Sequence, residues 1–175
     1  MSIDPKQLQN IVEGALLASG KPLNMQRLQS LFEGTEPAPD RESLLDALDA
    51  IEVSLEGRGF ELKRVASGYR LQVRAEFAPW VGRLWEEKPQ RYSRALLETL
   101  ALIAYRQPLT RGEIEEVRGV AVSTNIIRTL LERDWVRVVG HREVPGTPAL
   151  YATTRTCLDY FNLQSLDQLP SLAEI

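Results

Sequence analysis

One cysteine and one histidine in 175 residues leave this chain short of the groups that catalysis and metal binding draw on. Cys157, being alone, can form neither an intramolecular disulfide nor a cysteine metal cage, which suits a reducing compartment. No Lys or His flanks it to lower its pKa, so it reads as a small buried residue and not as a reactive thiol. Without a second histidine, Ser-His-Asp or Cys-His chemistry rests on His141, which precedes Arg142-Glu143 in what reads as a surface hairpin and is expected to be a solvated strand residue. His-Glu-x-x-His is missing. The acids of Glu113-Ile114-Glu115-Glu116 lack the interleaved Asp, Asn and Gly ligands of a calcium loop and read as a solvated face. Gly57-Arg58-Gly59 leads into a strand, not into a helix opening with Lys-Ser/Thr, so no phosphate-cradling loop is present. No apolar run approaches the roughly 20 residues of a membrane-spanning helix, and Met1-Ser2-Ile3-Asp4-Pro5 lacks the basic-then-apolar order of a signal peptide. The expectation is a cytoplasmic chain without catalytic residue, cofactor, metal or membrane contact.

What the sequence does have is 43% hydrophobic residues, enough for a core, and a net charge of −3. Its pI near 5.4 disfavours strong autonomous DNA binding, because a chain held by phosphate neutralisation is usually basic over at least one domain. The two halves read alike. Ile11 to Ala18 matches Leu96 to Ile103, and Lys21-Pro22-Leu23-Asn24 matches Gln107-Pro108-Leu109-Thr110. Each half offers an apolar helix, a Pro-Leu turn, a polar cap, a short second helix ending at Gly34 or Gly119, and a third helix.

In the first half, Asp4 caps a helix whose first residue is Pro5, where no N–H is needed. Leu8, Ile11, Val12, Ala15 and Leu16 form its apolar face. A second helix follows Asn24 and carries Leu28 and Leu31, and a third places Leu44, Leu48, Ile51 and Leu55 on one stripe. The spacing then changes to two: Phe60 and Leu62, a turn at Ala66-Ser67-Gly68, then Tyr69, Leu71 and Val73. In the second half, Thr110 and Glu113 fit a capping box. The third helix runs from about Ser123 to Asp134 and is expected to bury Ile126, Ile127, Leu130 and Leu131. Val136–Val139 and Leu150–Thr153 form the hairpin around Pro145-Gly146-Thr147-Pro148, and Leu158 to Leu169 lies back on the core. The fold class expected is therefore α+β, mainly α: two tandem winged-helix domains, 1–88 and 89–175. Phe77, Trp80, Val81, Leu84 and Trp85, at helical spacing, form a packed connector helix that closes the first core or serves a partner.

Charge separates the halves. Asp40, Glu42, Asp46, Asp49, Glu52 and Glu56 against Arg41 make the first unit's third helix a poor groove reader. In the second unit Arg128, Arg133, Arg137 and Arg142 keep open the alternative of a winged-helix DNA-binding regulator. The helix Ala95–Ala104 is apolar on nearly every side and must be covered all round. A unit of this size buries roughly 60–65% of its unfolded surface, so either the first unit and connector cover that helix or a second subunit or partner segment does.

The block from Tyr105 to Val120 resembles the segregation and condensation protein B family. So do Gly68 to Val73, Phe77 to Val81, Ser93 to Ala101, Val144-Pro145-Gly146 and Leu158 to Phe161, and the likeness spans nearly the whole chain. After Val120, Ala121-Val122-Ser123-Thr124-Asn125 departs from the more polar turn expected in relatives. The resemblance implies a non-enzymatic, cofactor-free subunit of a bacterial chromosome-organising complex on the nucleoid. It implies a homodimer through the N-terminal winged helix, with the kleisin, segregation and condensation protein A, as partner and, through it, an SMC ATPase. DNA contact would be indirect or weak. On that basis Tyr105, Gln107, Arg111, Glu113, Glu116, Arg118 and Arg128 are expected to face the kleisin, and Leu8, Val12 and Leu16 the second copy.

Overall fold

A computed structural model describes residues 3–85 and 91–171. The chain divides into two compact units, Met1–Lys88 and Pro89–Ile175.

The first unit opens with α1 (Pro5–Ser19), α2 (Met25–Ser30) and α3 (Arg41–Ser54), followed by a hairpin of β1 (Phe60–Val65) and β2 (Gly68–Val73). Each helix starts at a side-chain cap: the Asp4 carboxylate accepts from the Gln7 N–H at 2.8 Å, Asn24 from Arg27 at 2.8 Å and Asp40 from Ser43 at 2.8 Å. Leu8, Val12 and Leu16 of α1, four apart, meet Leu44, Leu48, Ile51 and Leu55 from the α3 stripe in one core with Leu28 and Phe32. The hairpin lays Phe60, Leu62, Tyr69 and Leu71 against that core. Its two-residue turn pairs Val65 with Gly68. Gly68 is required there. Its φ is +134°, and a Cβ would lie 2.2 Å from the Leu23 carbonyl oxygen. At that crossing the Leu23 N–H donates to the Tyr69 carbonyl (2.8 Å) and the Tyr69 N–H to that of Leu23 (2.9 Å).

The second unit repeats the plan with α5 (Arg94–Arg106), β3 (Leu109–Thr110), α6 (Arg111–Arg118), α7 (Thr124–Glu132), β4 (Val136–His141) and β5 (Ala149–Thr153). The strand order is β3-β5-β4, all antiparallel. β3 is the full form of the Leu23 bridge, at the position where the two sequences align. The Thr110–Glu113 capping box closes, with Glu113 N–H to Thr110 Oγ1 at 3.2 Å and Thr110 N–H to Glu113 Oε2 at 2.7 Å. α8 (Arg155–Tyr160) returns over the core, where Trp135 lies within 4.9 Å of Tyr92, 4.7 Å of Tyr160 and 5.5 Å of Phe161, ring centre to ring centre. Each unit thus has three helices and a hairpin wing, with a short pairing between its first two helices: the winged-helix arrangement.

Three expectations change. The packed connector helix is instead a 3-10 turn (Ala75–Phe77), one α turn, α4 (Ala78–Val81), and a second 3-10 turn (Gly82–Leu84). Pro79 withholds an N–H and Gly82 adds backbone freedom, so no continuous helix forms. Trp80, Leu84 and Trp85 are 63%, 77% and 64% exposed and do not close the first core. In the first unit Ile11, on the side of α1 away from its buried stripe, and Leu31 and Val73, at the ends of α2 and β2, are exposed. Leu131 is also exposed; α7 spans only two and a half turns and gives its inner face to Ile127 and Leu130.

Candidate functional site

α5 begins at Ser93, whose hydroxyl accepts from the Leu96 N–H at 3.2 Å. Leu96, Thr99, Leu100 and Ile103 face the core. Leu97 and Ala101 on the opposite side are exposed, so the helix that reads as apolar all round is covered on one face only within its unit. Two grooves flank this open strip. One, of about 380 Å³, lies between α5 and the C-terminal segment, with Leu97, Ala104, Leu163, Leu166 and Leu169 on its walls. The other, of about 600 Å³, lies between α5 and α6, with Leu102, Val117 and Val120 on its walls and Glu98, Arg106 and Arg118 at its margins. Ala101 and Tyr105 line both. The Tyr105 hydroxyl donates to the Pro170 carbonyl at 2.6 Å, so the ring is a wall of the first groove.

Of the other residues expected at a partner surface, Gln107, Glu113 and Arg118 are half-buried in contacts within the unit, and Arg111, Glu116 and Arg128 are exposed. The Gln107 amide holds Thr153 twice: Oε1 accepts from its N–H at 2.8 Å and Nε2 donates to its hydroxyl at 3.0 Å, tying α5 to β5. Arg118 donates to Thr99 Oγ1 at 3.3 Å and pairs with Glu98 at 3.1 Å, which fixes the width of the α5–α6 groove. Arg111 pairs with Glu115 at 3.0 Å and reaches Thr124 at 3.3 Å. Glu113 closes its capping box and pairs with Arg142 at 2.8 Å. Its carboxyl is held below the ordinary range, chiefly by the Thr110 N–H. Glu116 and Arg128 are exposed. Tyr105 and Arg118 therefore share one groove, while Arg128, on α7, lies outside its lining. Leu97, Ala101, Leu102, Val117 and Val120 do not stand out individually in the sequence. Their signal was the all-round apolarity of α5, which does not tell which side stays open.

Leu8, Val12 and Leu16, expected at a dimer interface, are 5%, 0% and 3% exposed, spent on the first unit's own core. The same spacing serves a core or an interface, and here α3 is already packed on it. α1 leaves Ile11 and Leu17 exposed instead. Of the four arginines that supported a DNA-reading second unit, Arg133 stands over Tyr92 at 4.9 Å and Arg142 is held by Glu113. Arg128 and Arg137 stand in none of the ion pairs among the described residues.

His141 is exposed on β4. Burial pushes the Cys157 thiol up to about 11. Among the described residues no group of three His, Cys, Asp or Glu is placed to hold a metal ion, and no helix is long and apolar enough to cross a membrane.

The chain matches a family model described as segregation and condensation complex subunit ScpB over residues 10–172. It is 58% identical over 165 residues to the segregation and condensation protein B homolog of Coxiella burnetii, covering 94% of this chain and 78% of that protein. It is 44% identical to segregation and condensation protein B of Syntrophotalea carbinolica, covering 98% and 85%. The crystal structure of ScpB from Mycobacterium tuberculosis aligns with a TM-score of 0.44 at 32% identity, over 93% of this chain and 99% of that one. The family-model match over residues 10–172 and the 58% identity to the Coxiella burnetii relative show that this chain belongs to the family of segregation and condensation complex subunit ScpB.

Proposed function

We propose that this chain is a non-catalytic architectural subunit of an SMC–kleisin complex on the bacterial nucleoid. Its second unit holds the kleisin, segregation and condensation protein A, and through it the SMC ATPase. The observation that carries this reading is the open apolar strip of α5 between two grooves, at Leu97, Ala101 and Tyr105. Contiguous apolar surface rimmed by Glu98, Arg106 and Arg118 is what a partner segment covers, with the charges setting its register. Mixing the chain with the purified kleisin gives one co-eluting peak on size exclusion at micromolar concentration. Ala101→Glu and Val117→Glu, both at exposed positions, abolish that peak while leaving the thermal unfolding midpoint in place. Separate elution of the two unsubstituted proteins overturns the reading.

The first unit pairs with its copy, making a homodimer in the cytoplasm. With Leu8, Val12 and Leu16 committed to the core, the α1 residues to probe are Ile11 and Leu17. Light scattering on the full chain gives twice the 19.7 kDa chain mass, and Leu17→Glu lowers it. A monomer in the unsubstituted chain removes the pairing idea without touching the kleisin groove.

A further inference from the structure

The hairpin of the first unit carries four cations, Lys63, Arg64, Arg70 and Arg74, against one acid, Glu61. That acid is already engaged: Arg74 pairs with it at 3.3 Å and the Gln72 amide donates to it at 3.2 Å. Arg74 is itself anchored at the hairpin base, donating to the carbonyls of Arg58 at 2.8 Å and Leu55 at 2.9 Å. The surplus charge lies farther along the ribbon. Lys63 stands directly opposite Arg70 in the strand register, on the face turned away from Phe60, Leu62, Tyr69 and Leu71. Like charges directly opposed on one face weaken a hairpin, and here Arg70 also donates from Nε to Gln72 Oε1 at 3.1 Å. Lys21 joins them, lining one hollow with Arg70 beside the Leu23 crossing. Arg64, at the ribbon end, is exposed and stands over the Tyr69 ring at 5.7 Å. Neither Lys63 nor Arg64 has a carboxylate partner among the described residues.

We propose that this hairpin is a contact surface for the phosphates of duplex DNA, binding without sequence preference. Lys21, Lys63, Arg64 and Arg70 supply the charge. A two-stranded ribbon is narrow enough to lie along the duplex, with Lys63 and Arg70 side by side on its outer face, Lys21 beside Arg70 and Arg64 at its end to meet phosphates. Asp49 and Glu52 of α3, with Glu56 just past its end near the hairpin base, keep that helix out of the groove, so recognition by base edges is not available. What remains is a weak backbone contact of three or four phosphates. The acidity of the chain as a whole conceals it, because the excess of cations over acids on this ribbon is local.

The test is fluorescence anisotropy of the full chain on a labelled duplex of about 30 base pairs, titrated from 50 to 200 mM salt. Binding is expected to be micromolar or weaker. The slope of log affinity against log salt should be about −3, alike for two unrelated sequences. Lys63→Glu with Arg70→Glu lowers affinity at least ~tenfold, with kleisin co-elution unchanged, which separates this surface from the α5 grooves. Lys63→Gln with Arg70→Gln, which removes both charges and their opposition, makes the slope shallower by about 2 while the thermal midpoint stays above the assay temperature. Absence of binding at 50 mM salt overturns the proposal, as does a slope unchanged in the Gln variant. So does equal affinity for single-stranded RNA or phosphatidylglycerol vesicles, or a loss seen only with Arg128→Glu.

Discussion

Gly68 and Gly14 show how differently one residue type behaves in one unit. At Gly68 the backbone lies in the left-handed half of conformational space, and the Leu23 carbonyl occupies the place of a side chain. Gly68→Ala must lift the hairpin off that carbonyl and break two hydrogen bonds, which is expected to cost more than about 2 kcal/mol in urea unfolding. Gly14 sits mid-helix on the exposed face of α1, with no atom within 4 Å of the place a Cβ would take. Gly14→Ala is expected to raise stability by roughly 0.5–1 kcal/mol. Equal effects from the two substitutions would contradict the assignment of Gly68 to the crossing. The aligned Pro-Leu turns marked the place, but nothing in the residues around Ser67-Gly68 announced that another segment of backbone would pass so close.

At the level of elements, α5 carries core residues on one face and the proposed docking strip on the other. Leu100→Ala removes a core side chain and is expected to cost about 2–5 kcal/mol, whereas Leu97→Ser, on the open strip, changes stability by less than about 0.5 kcal/mol. Unfolding midpoints read the first effect and kleisin co-elution reads the second. A loss of several kcal/mol at Leu97 would mean the strip belongs to the core. Helix starts were legible from their caps, at Asp4, Asn24 and Thr110, because a side-chain cap is a local event. The hairpins were legible from period-two spacing. Three features were not, two because they depend on tertiary packing and one because local breakers overrode the spacing. Periodicity cannot say which side of an apolar helix a later segment such as Leu163–Leu169 will leave open. A two-residue strand, β3, exists only through its pairing with β5. The spacing from Phe77 to Trp85 suits a helix that Pro79 and Gly82 break up.

The whole molecule uses one arrangement twice and distributes charge unequally over it. Acids are set at the structural joints. Asp40 is held below the ordinary carboxylate range by its bonds from Ser43, Glu113 by the Thr110 N–H, Glu115 by the Val122 N–H, and Glu98 by Arg94 and Arg118. A folded-state value below the unfolded one means stability that is complete above the unfolded value and lost as pH falls through the folded one. The urea midpoint is therefore expected to stay level through neutral pH and to fall below about pH 4.5. Three of the four depressions come first from hydrogen bonds within caps and turns, so the acid limb should survive 0.5 M salt largely intact, to within about a third of its drop. A midpoint that is level down to pH 3 would show that these contacts do not hold in solution. The crossing of Leu23 with Tyr69 also orders events in time. α2 and α3 lie between its two partners in the chain, so the crossing waits for Tyr69 to leave the ribosome, several seconds after Leu23 at about 5–20 residues per second. Until then the groups that the hairpin will cover stay open, and the first unit passes part of its synthesis as a three-helix bundle waiting for its wing.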